Sequence, residues 1–95
     1  MVNSIDILER AACYCTGADR DKLHSRSRKH NVVFARYLIA VTANKKLGLS
    51  LSKSGRLVGI NRSTVSHAKK VMAAMNHFGT GEEVLWWRKW KCITE

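Results

Sequence analysis

The chain has 95 residues, 45% of them apolar, and a formal net charge of +10 at pH 7. This length suits one domain with a modest core, and the apolar fraction excludes a disordered chain. The longest mainly apolar stretch, 32–43, is too short for a membrane span, which needs roughly 20 apolar residues. The first ten residues carry two acids and do not resemble a targeting segment. We therefore expect a soluble, cytoplasmic protein without membrane contact.

Three cysteines, Cys13, Cys15 and Cys92, cannot all pair within one monomer. The spacing of the first two lacks the two to four intervening residues typical of zinc sites, and on a helix they point about 200° apart. We therefore expect free thiols in a reducing compartment, with no metal and no cofactor.

The charges are unevenly distributed along the chain. The 60 residues from Lys22 to Gly81 contain twelve lysines and arginines and no Asp or Glu. A solvated helical surface normally mixes both signs, because opposite charges one turn apart attract and a single-sign field repels itself. The acid-free stretch therefore favours a polyanionic partner over a basic surface kept for solubility.

The hydrophobic spacing indicates an all-α fold of five to six helices, since apolar residues recur every three or four positions and proline is absent. Ser4 is expected to cap a first helix that stops at Gly17. A short helical turn near 19–24 and a basic loop at 25–30 follow. The next helix should span about 31–46, with one buried side formed by Val32, Ala35, Ile39 and Ala43.

A helix-turn-helix is predicted near 51–75. Ser50 or Ser52 can cap a short helix to about Val58, Gly59 supplies the turn, and Asn61 caps a longer helix to about Phe78. In the longer helix a 3, 4, 3 spacing directs four residues into the core: Val65, Ala68, Met72 and Met75. The opposite face is small, polar and basic, as in a helix that reads base edges; it carries Arg62, Ser63, Thr64, His67 and Lys70.

A last helix is expected over Glu82–Cys92, with Thr80 and Glu83 as a capping box. It adds a tryptophan-rich segment, 79–95, to a domain that spans the whole chain, 1–95. We expect its tryptophans, Trp86, Trp87 and Trp90, to pack this helix onto the core. The alternative is a homodimer or partner-protein surface, because exposed tryptophans anchor interfaces.

Two segments resemble the carboxy-terminal DNA-binding domain of DnaA, the bacterial chromosomal replication initiator. The run from Ser25 to Arg36, SRSRKHNVVFAR, is similar to the family's basic loop entering its long central helix. The run from Asn61 to Ala68, NRSTVSHA, is similar to the signature at the start of the recognition helix. The resemblance covers about Ile5 to Phe78 and implies a fold like that of Trp repressor and DnaA domain IV.

The resemblance also implies how the chain meets duplex DNA. The loop would place Arg28 in a minor groove, with Ser27 and Lys29 beside it, and the recognition helix would read the major groove. His67 and Arg36 match positions at the phosphate backbone. The family's Asp-His pair is replaced here by Asn61-Arg62, which favour adenine and guanine, so the preferred box should differ. The expected DNA-binding residues are Arg26, Ser27, Arg28, Lys29, Arg36, Ser52, Lys53, Asn61, Arg62, Ser63, Thr64, His67 and Lys70.

The expected function is sequence-specific DNA binding at a replication origin on the nucleoid, without ATPase activity. No Gly-x-x-x-x-Gly-Lys phosphate loop occurs in the 95 residues, so the ATP chemistry of the initiator cannot be carried over. No nucleophile–base spacing or metal cluster suggests an enzyme. Two alternatives remain open: a transcription regulator or mobile-element protein with a generic helix-turn-helix, and an adaptor that binds proteins through the tryptophan helix.

Overall fold

The computed structural model describes residues 4–78 and 81–94. Within these ranges the chain forms α-helices and no strands, which confirms the all-α class. The elements in chain order are α1 (Ser4–Thr16), a 3-10 helix (Arg20–His24), α2 (His30–Lys46), α3 (Leu51–Arg56), α4 (Arg62–Phe78) and α5 (Glu82–Thr94). Thr80 and the side chain of Ser4 lie outside what the structure describes, so the caps expected of these two residues stay predictions. No helix in the described ranges has the length and apolar character needed to cross a bilayer.

Helix α2 is the central element. It contacts α1, the 3-10 helix, α3 and α4. The sequence predicted one buried stripe on α2, but the buried surface is wider, because Phe34, Leu38 and Val41 are buried as well. A helix with neighbours on several sides excludes water from most of its circumference, whereas a surface helix buries one stripe.

Helix α4 packs against α2 and α3 through the predicted stripe. Val65 and Ala68 are fully buried, Met72 is 1% exposed, and Met75 is half-buried at the edge of the core. These positions recur at helical spacing, so their burial turns the opposite face of α4 toward solvent. That face carries the polar residues of the predicted recognition helix.

Helices α3 and α4 approach closely at a glycine. Ser50 caps α3, because its hydroxyl accepts a hydrogen bond from the Lys53 backbone N–H at 3.1 Å. A methyl group at Gly55 would overlap the carbonyl oxygen of Ile60 and lie 3.1 Å from Cγ2 of Val65. The Gly55 carbonyl also accepts a hydrogen bond from the Ile60 N–H at 2.9 Å. The absence of a side chain at this position therefore permits the tight helix-turn-helix.

Helix α5 packs its tryptophans inward, as expected. Trp86 and Trp90 belong to the buried core, at 9% and 2% exposure, and Trp87 is half-buried. The Trp86 ring lies 5.4 Å from the rings of both Phe34 and His30, measured between centroids. Helix α5 thus covers the beginning of α2, immediately after the basic loop.

The three cysteines are free thiols in the structure. Cys15 is buried, Cys13 is half-buried and Cys92 is exposed. Burial raises the pKa of Cys13 and that of Cys15, which favours the neutral thiol over the reactive thiolate. The described residues contain no cluster of His, Cys, Asp or Glu that could hold a metal ion.

Candidate nucleic-acid interface

Salt bridges engage three of the acids that lie outside the acid-free stretch: Asp6, Glu9 and Glu83. Arg20 pairs with both Asp6 and Glu9, and the hydrogen bond from Arg20 lowers the pKa of Asp6. Glu9 also lies 2.8 Å from Nε2 of His24, and Glu83 of α5 lies 3.2 Å from Nε2 of His30. In the described parts of the chain, no salt bridge involves a cation of the basic loop, α3 or α4. Those cations remain available to an external anion.

The basic loop (25–29) is shaped by its two serines. The Ser25 hydroxyl donates to the Lys22 carbonyl at 2.8 Å and accepts from the Ser27 backbone N–H at 3.1 Å. The Ser27 hydroxyl accepts from the Lys29 N–H at 3.4 Å. Such side chain to backbone hydrogen bonds stabilise a turn locally. The serines therefore act within the loop, while Arg26 and Arg28 are exposed around them.

Arg36 of α2 lies beneath the loop and is 8% exposed. Its guanidinium donates four hydrogen bonds of 2.7–2.9 Å to backbone carbonyls, those of Lys22, Leu23, Ser25 and Ser27. Desolvation lowers the pKa of Arg36, although an arginine stays protonated in proteins. Four hydrogen bonds therefore commit Arg36 to holding the loop, and the phosphate contact expected of it stays a prediction.

A cleft of about 650 Å³ separates the basic loop from the turn before α4. We call it the loop–turn cleft. Its lining joins loop residues to the end of α3 and to the turn, and it includes four arginines and no carboxylate. The lining residues are His24, Ser25, Arg26, Arg28, Arg36, Arg56, Val58 and Gly59. The two predicted DNA-binding elements thus meet at one concave, cationic surface.

A second concave surface of about 400 Å³ follows the first turns of α4. We call it the α4 groove. It is bordered by the beginning of α3 and again contains no carboxylate. Its lining residues are Leu51, Arg62, Ser63, Ser66, His67 and Lys70. The His67 ring also packs edge-on against Tyr37 of α2, with 6.4 Å between centroids. The α4 groove therefore brings together four of the predicted DNA-binding residues of α4, next to the first residue of α3.

Asn61, for which the sequence favoured a base contact, caps α4 in the structure. Its Oδ1 accepts hydrogen bonds of 2.8 Å from the Thr64 N–H and from the hydroxyls of Ser63 and Thr64. Bidentate recognition of adenine needs both the oxygen and the nitrogen of the carboxamide. Since the oxygen caps α4, Asn61 is placed to start the recognition helix, and Gly59, with φ of +73°, makes the turn that leads into it.

Besides Asn61 and Thr64, which bond to each other, four predicted residues line neither concave surface: Ser27, Lys29, Ser52 and Lys53. Ser27 is half-buried within the loop, while the other three are exposed on the loop and on α3. Sequence reasoning missed Arg56 and Ser66. The position of Arg56 just before the turn, and that of Ser66 one turn after Arg62, were signals that could have identified them.

The tryptophans offer little of the exposed surface that the alternative partner interface requires. Trp86 and Trp90 are buried against the chain's own α1 and α2 side chains, and only Trp87 is partly accessible. An interface anchor must be exposed in the free protein to contribute on binding. These residues therefore do not support a homodimer or adaptor surface.

Comparison with known families identifies the chain. The family model described as the bacterial dnaA protein helix-turn-helix matches residues 5–71, which include α1 to most of α4. Comparisons with curated proteins and with solved structures give no match. The matched domain is a DNA-binding one, and its helix-turn-helix coincides with α3 and α4 described above. By this match over well more than half of its length, the chain belongs to the family of bacterial DnaA helix-turn-helix domains.

Proposed function

We propose that the chain binds a specific site on double-stranded DNA, with α4 in the major groove and the basic loop in the adjacent minor groove. The observation that carries the proposal is the pair of carboxylate-free concave surfaces, one along α4 and one between the loop and the turn. DNA binding by a helix-turn-helix follows from the family, whereas readout of a particular sequence is our inference. The proposed activity requires no ATP and no catalysis.

Each element has a proposed task. Arg62 is exposed at the first turn of α4, where an arginine can bind O6 and N7 of guanine. Arg28 is exposed on the loop, and an arginine suits a narrow, A·T-rich minor groove because the negative potential is concentrated there. Lys70 lines the α4 groove one turn beyond His67, and we assign it to phosphate. The preferred site should be related to the DnaA box but altered where Arg62 reads it.

Selection from random duplex DNA tests the proposal and identifies the site. The selected duplex and a scrambled duplex of equal length are then titrated by fluorescence anisotropy at several salt concentrations. We expect Arg62→Ala to relax the preference at one base pair and to cost about 1–3 kcal/mol. Lys70→Ala should weaken both duplexes alike and reduce the salt slope by about one. Arg88→Ala is the matched control, because Arg88 lines a surface of α1 and α5 away from both concave surfaces.

If selection returns no common motif, or if Arg62→Ala and Lys70→Ala weaken both duplexes equally, direct readout by α4 is wrong. Binding as a monomer to one asymmetric site is expected, because the tryptophans that could have formed a dimer interface are mostly buried. A symmetric motif bound by two copies would instead favour a conventional dimeric regulator.

A further inference from the structure

We infer that the loop–turn cleft holds the sugar–phosphate strand that separates the two DNA grooves, and that Arg56 is its principal phosphate contact. This inference deepens the proposed function and rests on it. Arg56 is the last residue of α3 and lies in the cleft with Arg26 and Arg28. Arg56 was not among the residues predicted to bind DNA, and its assignment rests on its place in the lining of the cleft.

Adjacent minor and major grooves are separated by one sugar–phosphate strand. A protein that inserts a loop into one groove and a helix into the next must accommodate that strand between the two elements. In this chain the loop–turn cleft occupies that position, with the basic loop as one wall and Arg56, Val58 and Gly59 as the other.

The chemistry of the lining favours phosphate over other ligands. Of its four arginines, Arg36 is committed to loop carbonyls, which leaves Arg26, Arg28 and Arg56 exposed toward solvent. None of these three arginines forms a salt bridge with another described residue. Val58 is the only aliphatic side chain in the lining, and the only ring is His24, which is bonded to Glu9. A nucleobase would find no stacking surface apart from that imidazole, whereas a phosphate finds several guanidinium groups.

The backbone of Arg56 is held differently from that of the two loop arginines in the cleft. Arg26 and Arg28 belong to a loop that owes its shape to serine hydroxyls and Arg36, whereas Arg56 ends a helix packed on the core through Ser54 and Gly55. Its backbone is therefore rigidly placed relative to α4. A phosphate bound there would set the depth at which α4 enters the major groove, since phosphate contacts position a protein on the duplex without reading sequence.

The experiment uses the full chain and the duplex selected above. Arg56→Ala, Arg56→Lys and the control Arg88→Ala are titrated across salt concentrations. We expect Arg56→Ala to weaken selected and scrambled duplexes by a similar factor, roughly tenfold, and to lower the salt slope by about one. Arg56→Lys should restore part of the affinity, and Arg88→Ala should bind as the unmodified chain does. Circular dichroism checks that each variant is folded.

Neutral phosphates locate the contact. Single methylphosphonate linkages are placed along the selected duplex, one at a time. For the unmodified chain, a linkage between the base pairs affected by Arg28→Ala and those affected by Arg62→Ala should weaken binding. In Arg56→Ala the same linkage should have little further effect, because the partner charge is already gone. Equal losses for both proteins at every linkage would overturn the assignment of Arg56.

The two proposals fail in different ways. If Arg62→Ala alters base preference and Arg56→Ala behaves like Arg88→Ala, the cleft assignment is wrong and the readout proposal stands. If Arg62→Ala has no effect on preference but Arg56→Ala lowers affinity and salt slope with a localised methylphosphonate effect, the phosphate site stands without sequence readout. If all variants bind like the unmodified chain, both are wrong.

Discussion

The indole Nε1 of Trp90 donates a hydrogen bond of 2.9 Å to the hydroxyl of Thr42, 48 residues earlier in the chain. Both groups are buried, Trp90 at 2% and Thr42 at 8% exposure. Trp90 lies outside the segment that matches the family, 5–71, whereas Thr42 lies on the central helix α2. Helix α5 is therefore joined to the family's core by a buried polar contact as well as by apolar packing.

Trp90→Phe should lower the free energy of unfolding for two reasons. The Thr42 hydroxyl loses its hydrogen-bond donor, which costs about 1–3 kcal/mol. The smaller ring also leaves a space in the core, which adds a packing cost. Urea denaturation measures the change. Thr42→Val removes the other partner, and the double variant should cost less than the two single changes added together. Leu85→Ala is the control on α5, because Leu85 is 57% exposed. Strictly additive costs would show that the hydrogen bond contributes little.

Gly55→Ala should disrupt the helix-turn-helix. The added methyl group would overlap the backbone carbonyl of Ile60, which cannot rotate away as a side chain can. We expect a loss of stability of about 1–3 kcal/mol or more and weakened DNA binding. The neighbouring Ser54→Ala is the matched control: the Ser54 hydroxyl is buried and has no hydrogen-bond partner in the described structure, so its removal should be neutral or stabilising. In thermal melts, the melting temperature should therefore fall for Gly55→Ala and stay the same or rise for Ser54→Ala.

Arg36→Lys should loosen the basic loop while keeping the positive charge. An ammonium group cannot reproduce the planar fork that bonds the carbonyls of Lys22, Leu23, Ser25 and Ser27. We expect faster amide hydrogen exchange at 25–29 and weaker DNA binding, with the base preference of α4 unchanged. Arg26→Lys, on an exposed loop residue, is the control and should leave exchange unaltered. Unchanged exchange in Arg36→Lys would mean that the loop holds its shape without the guanidinium.

The spacing of apolar residues predicted the helices well, because apolar residues that recur every three or four positions mark the buried side of a helix. The α4 stripe of Val65, Ala68 and Met72 was identified from sequence, and the structure buries all three. The roles of Arg36 and Asn61 were not predictable in the same way. A sequence shows that a side chain can bond phosphate or adenine, but not that backbone carbonyls or a helix start already occupy its polar atoms. Arg56 was missed because the loop that faces it is 27 or more residues away in sequence.

Acid should weaken the contact between α1 and the 3-10 helix. Hydrogen bonding from Arg20 lowers the pKa of Asp6 in the folded protein, and Arg10 lies 3.2 Å from the same carboxylate. A depressed folded pKa contributes stability above the unfolded value, about 3.9, which is lost as pH falls through the folded pKa. Urea midpoints measured from pH 6 to 2.5 should therefore fall less for Asp6→Asn than for the unmodified chain. Parallel curves would show that this pair does not affect stability.

Substitutions of Asn61 distinguish helix capping from base reading at the start of α4. If Oδ1 serves as the helix cap, Asn61→Ala should cost about 0.5–2 kcal/mol of stability and leave the selected DNA sequence unchanged. Asn61→Asp retains an acceptor for the Thr64 N–H and should keep that stability. It places a carboxylate beside Arg62, however, and should weaken binding to every duplex through repulsion of phosphate. Thermal melts and a repeated selection measure the two effects. A new base preference in Asn61→Ala without loss of stability would instead return Asn61 to the base-reading role that its position first suggested.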